Sequence, residues 1–72
     1  MHRINPEKLL RSKWTAIAPQ NRERHFIVTT LHRDEENEHV VKVTLQAVMT
    51  HNDYMLAWRD LADDTVWQMG WK

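Results

Sequence analysis

His32 and His39 bracket the acids Asp34, Glu35, Glu36 and Glu38, and imidazoles and carboxylates so spaced on a hairpin could share a divalent ion with Asp34 or Glu36. No compact ligand motif accompanies them, and solvated loop side chains are the better account of five histidines in 72 residues. No metal is therefore expected. The acids themselves read as a solvated hairpin tip that discourages edge pairing. A second constellation sets aromatic rings beside cations in Lys13-Trp14, His25-Phe26, Trp58-Arg59 and Trp71-Lys72. Bases stack on such rings while cations hold the phosphates. Adjacent strand residues point to opposite faces, however, so these pairs are not neighbours in space. The simpler reading packs Trp14 and Trp58 inward on strands and leaves the cations in water. Lys13, Arg22, Arg24 and Lys42, as the cations nearest one end of the expected sheet, are the candidates to grip a nucleic acid or an acidic protein partner, with Trp67 and Trp71 as the candidate contact indoles.

Nucleophilic chemistry has few carriers. There is no cysteine, Ser12 is the only serine, and the single glycine, Gly70, cannot form a phosphate-cradling loop. A histidine and an aspartate could still exchange protons, but a pocket of about 300 Å³ or more beside a core is hard to fit into so short a chain. The expectation is a non-catalytic protein with no cofactor.

The elements that position these residues must form a core without disulfides, so the four tryptophans have to supply much of it. Asn5-Pro6-Glu7 reads as an N-cap, a first helical proline and a first-turn acid, with Ile4 and Leu9 as a hydrophobic staple, which predicts a short helix over 6–11. Asn21, Asn37 and Asn52 each sit in a polar cluster, and asparagine tolerates the left-handed backbone of tight turns in a chain almost without glycine. Three turns imply four strands, near residues 12–18, 25–33, 39–49 and 54–59. The third is clearest, since Val41, Val43, Leu45, Ala47 and Met49 alternate with Lys42, Thr44 and Gln46. In the tail, Asp63 can cap a second short helix and Gly70 can end it in a left-handed C′ conformation, folding Trp71 back onto Val66; the competing reading runs the helix through Gly70.

Net charge is zero, which offers no general attraction to nucleic acid or anionic membranes. The zero conceals an asymmetry. Residues 1–33 carry seven Lys or Arg against two acids, net +5, and residues 34–72 carry three against eight, net −5. No apolar run approaches the roughly 18 residues of a membrane span, the start does not resemble a signal peptide, and no cysteine points to secretion. A cytoplasmic protein is expected.

Taken together, Asn5-Pro6 with Leu9-Leu10, Ser12-Lys13-Trp14-Thr15-Ala16, the Pro19-Gln20-Asn21 loop running to His25-Phe26, Trp58-Arg59-Asp60-Leu61 and Trp67-Gln68-Met69-Gly70-Trp71 resemble the family of small bacterial tryptophan-rich proteins of about this length. The resemblance spans nearly the whole chain. That family is of uncharacterised function, so the resemblance carries over no catalytic or binding residue.

The expected architecture is one mainly β (small α+β) domain over 1–72. It is a four-stranded antiparallel meander, curled or SH3-like and partly closed as a barrel, with a short helix at each end; an open sheet with both helices on one face is the alternative. The expected function is a small binding module for nucleic acid or an acidic protein. The alternative is an assembly role in which the indoles close a homodimer or dock onto a larger protein.

Overall fold

Alternating apolar residues and tight polar turns give five antiparallel strands: β1 (Lys13–Gln20), β2 (Glu23–Arg33), β3 (Val40–Ala47), β4 (Asp53–Ala57) and β5 (Trp67–Met69). The computed structural model describes residues 3–72; His2, one of the five histidines, lies outside them. The strands form one sheet in the order β4-β3-β2-β1-β5. The first four make the expected meander, and the fifth is an addition beside β1. The sheet is open, with β4 and β5 as its two edges, so the expected barrel does not close.

The turns follow the asparagine reading with one change. Asn21 and Arg22 both have positive φ (55° and 62°) between paired Gln20 and Glu23, the mark of a two-residue hairpin turn of type I′. Asn37 is left-handed at 59°, in a loop closed by the Asp34 amide donating to His39 and the Asn37 amide donating to Asp34. In the third turn the left-handed residue is His51, at 62°, not Asn52. The Asn52 carbonyl accepts from the Ala47 amide, and its side chain is committed elsewhere.

Neither expected helix forms. Asn5 does cap the first turn, its side chain accepting from the Glu7 amide at 3.0 Å, but the 3-10 turn spans only Pro6–Lys8. It stops because the sheet claims the next residues: Arg11 turns left-handed at 68° and donates its amide to Val28. In the tail, Asp63 closes a single turn by accepting from Thr65, Val66 and Trp67. Residues 66–70 then follow β1, with Ile17 donating to Val66 and Gly70 donating to Lys13. A helix of so few residues is marginal on its own, and the open edge of β1 offers a hydrogen-bond ladder instead. The segment Trp58–Ala62, expected in part as strand, is a second 3-10 turn. Trp58 therefore starts a turn, not a strand, and is half-buried against the core.

The core lies on the inner face of the sheet. Trp14 (1 % exposed), Phe26, Val28, Val43, Leu45 and Ala47 come from the strands, and Leu9 and Leu61 are supplied by the two 3-10 turns. Ser12 accepts from the Trp14 indole at 2.8 Å, which gives the only serine a structural task. A bulge between Val28 and Thr30 shifts the pairing register of β2, so that Leu31 comes opposite Val43 and packs against the core. The two oppositely charged halves of the chain are interleaved, since β3 and β5 flank β1 and β2 on either side.

Candidate functional site

The sheet curls enough that both of its edges line one groove of about 400 Å³ on the inner face. Phe26 and Leu45 lie at its floor, Trp67 and Val66 on the β5 side, and Tyr54 and Leu56 on the β4 side. Three aromatic rings meet there edge to face: Phe26 stands 5.3 Å from Trp67 at 84° and 6.2 Å from Tyr54 at 70°. Between Thr15 and Gln20 the pairing of β1 with β2 is interrupted. The small side chains Ala16 and Ala18 in that stretch leave the space that the groove occupies.

Glu23 forms the polar end of the groove and is the charged residue buried most deeply among those described, at 4 % exposure. Thr50 and Tyr54 donate their hydroxyls to its carboxylate, and Asn52 donates its side-chain amide at 3.1 Å. The Thr50 hydrogen bond, followed by that of Tyr54, holds the Glu23 pKa below the ordinary carboxylate value against the opposing effect of burial. The same contact raises the Tyr54 pKa. A carboxylate saturated in this way fixes the β1–β2 turn against the β3–β4 turn. Sequence reasoning missed Glu23, because its three donors come from a different hairpin and converge only once the register is known.

A second concavity, of about 630 Å³, lies at the other end of β2 near Glu7, Asp34, His39 and Trp58. Its carboxylates are engaged as well. Glu7 receives both guanidinium nitrogens of Arg33, at 2.9 and 2.5 Å, and that hydrogen-bonded pair lowers its pKa. Asp34 accepts from the Glu38 amide at 2.9 Å, the main cause of its own lowered pKa. His32 is hydrogen-bonded to Thr44, and His39 stands 3.9 Å from Glu38. Among the described residues no three His, Cys, Asp or Glu are grouped to hold a metal ion.

The outer face carries the other tryptophan feature. At Gly70, with φ +79°, the chain leaves β5 and crosses onto that face, where the Gly70 carbonyl accepts from the Thr15 hydroxyl at 2.7 Å. The same hydroxyl accepts from the Lys72 amide at 2.9 Å, and the Trp71 indole donates to the Phe26 carbonyl at 3.0 Å. Gly70 is thus left-handed as expected, but Trp71 does not fold onto Val66. It lies under the Lys13 ammonium, 4.7 Å from the ring centroid, with the His25 ring 6.0 Å away.

Of the six residues singled out for binding, the structure brings Lys13 to Trp71 and places Trp67 in the groove. The cations do not gather at one end of the sheet. Along β2, Arg24 lies near the first turn, Lys13 pairs with Ile27 and Lys42 with His32. From Arg24 to the His32 register is about 26 Å at roughly 3.3 Å per residue. Arg22 is farther still, in the turn itself.

A family model described as tryptophan-rich protein (DUF2389) matches residues 12–72. The chain belongs to this family. The matched segment includes all five strands and the four tryptophans of this tryptophan-rich protein, and begins after the first 3-10 turn. No curated protein matches, and no solved structure matches. Among the described residues no helix is long and apolar enough to cross a membrane.

Proposed function

We propose that this tryptophan-rich protein is a non-catalytic binding module whose inner groove takes an extended apolar segment of a protein partner. The observation that carries the reading is the groove itself. It is rimmed by exposed apolar surface, with Tyr54 40 % and Val66 46 % accessible, above a floor of Phe26 and Leu45. Its volume is at the lower end of ligand sites, about 300 to 1,000 Å³. It is open along one side, which suits side chains presented by a backbone better than an engulfed small molecule. Rigid aromatic anchors of this kind supply most of the energy of protein interfaces. The acids near both concavities are bound to partners within the chain, which favours binding over proton transfer.

The Lys13 and Trp71 pair favours a second reading, in which the outer face holds single-stranded nucleic acid. The ammonium already stands over the indole, and the remaining candidate cations lie along the length of the sheet, so stacking there would first have to displace Lys13. Titration with capped apolar peptides and with a single-stranded oligonucleotide separates the two. Peptide binding is expected, and Ala18→Phe, which fills the groove from an exposed position, should abolish it without changing the thermal melt. Oligonucleotide binding that falls steeply between about 50 and 200 mM salt, with no peptide bound, would replace the groove reading by the second.

A further inference from the structure

We infer that β4 pairs with β4 of a second copy of this chain about a two-fold axis through Met55, joining two sheets into one. The direction of the backbone groups fixes the register. The Ala47 amide donates to the Asn52 carbonyl one position beyond the paired Gln46 and Asp53, so the Ala47 amide faces β4 and the Asn52 carbonyl faces β3. Hydrogen-bonded and open pairs alternate in an antiparallel ladder, which turns the main-chain groups of Tyr54 and Leu56 toward β3. Those of Asp53, Met55 and Ala57 point out of the sheet. Antiparallel pairing of Met55 with the partner's Met55 sets Asp53 opposite the partner's Ala57, so the outward amides of Met55 and Ala57 find carbonyls across the axis. Ala57 is also the N-cap residue of the 3-10 turn at Trp58–Ala62.

The side chains agree with this register. Tyr54 falls opposite the partner's Leu56 on the inner face, an aromatic and aliphatic pair that continues the apolar surface across the junction. Met55, 60 % exposed, meets its own copy on the outer face. Charge is complementary as well. Lys42 pairs with Ala57 on the outer face, and the partner's Asp53 would be the next residue in that row. Only a methyl group lies between ammonium and carboxylate, a gap of about two strand spacings, or roughly 9.6 Å between backbones, which a lysine and an aspartate together can span.

The two edges of the sheet differ in the protection they carry. β5 is three residues long, and the Trp67 amide is taken by the Asp63 carbonyl at 3.0 Å. β4 has five residues with neither lysine nor proline and no register shift against β3, so of the usual devices that keep an edge unpaired it carries only the charge of Asp53. One strand pair buries less than the roughly 800 Å² per partner of a stable interface, so the dimer should be weak and concentration-dependent.

Sedimentation equilibrium of the whole chain up to about 1 mM tests the inference. A dimer fraction that rises with concentration is expected. Met55→Lys, which sets like charges on the axis, should weaken dimerisation by about tenfold or more. Met55→Pro, which removes an outward amide and no β3 bond, should do the same, both with the thermal melt retained. Asp53→Lys should also weaken it, and adding Lys42→Asp in the same chain should restore it, a recovery that a folding defect would not give. A chain that stays monomeric throughout, or a dimer indifferent to Met55→Lys and Asp53→Lys, overturns the inference.

Discussion

Two residues show how far single side chains determine this fold. Arg22 takes a left-handed conformation that costs a residue with a β-carbon roughly 1 kcal/mol, next to Asn21, which tolerates it better. Arg22→Gly should therefore stabilise the domain by about 0.5 to 1 kcal/mol, read as a higher midpoint in urea melts. Glu23 sets the opposite kind of limit. Its folded pKa is lowered by the Thr50, Tyr54 and Asn52 hydrogen bonds, and the pKa values of Glu7, Asp34 and Asp63 are lowered too. Depressed carboxylates contribute stability that is present above their unfolded pKa and lost as pH falls through the folded one. Stability should thus hold from neutral pH to about pH 5 and decline below it. Glu23→Gln should flatten that decline and lower the melting temperature at pH 7; an unchanged acid profile would contradict the role given to this carboxylate. Asn21 and Asn37 were legible as turn residues from local chemistry alone. Glu23 was not, because nothing within its own hairpin satisfies it.

At the scale of elements, the alternation in β3 and the polar turns were readable, and they yield β1 to β4 in meander order. The two helices were misread for one physical reason. Their capping residues are real, but each segment is too short to resist a neighbouring strand that offers main-chain partners: Arg11 goes to Val28 and Ile17 receives Val66 as its acceptor. The tail crossing was also hidden, since Thr15 looks like any strand threonine until Gly70 and Lys72 are seen on its hydroxyl. Thr15→Val keeps the shape and removes both hydrogen bonds. It should cost about 1 to 3 kcal/mol and shift Trp71 emission toward that of a solvated indole. Emission and stability matching the parent chain would mean that the tail is held by its packing and not by Thr15.

Across the whole molecule, the tryptophans are divided by location. Trp14 anchors the core, Trp58 opens the second 3-10 turn, Trp67 faces the groove and Trp71 closes the outer face. The sequence led to the expectation that the indoles supply much of the core, which holds fully for Trp14 alone, with Trp58 and Trp67 packed against it and Trp71 exposed. It could not show that an interruption between β1 and β2, lined by alanines, would leave a groove between the two sheet edges, because that depends on how far the sheet curls. The candidate cations lie spread along the sheet instead of gathered, because they sit at different registers along β2. Side-chain resonances of Phe26, Tyr54, Trp67 and Trp71, followed by two-dimensional NMR during titration with a capped apolar peptide, test the central claim most directly. The groove reading predicts saturable shifts at Phe26, Tyr54 and Trp67 with Trp71 unmoved; shifts confined to Trp71 and Lys13, or none at the three groove rings, would contradict it.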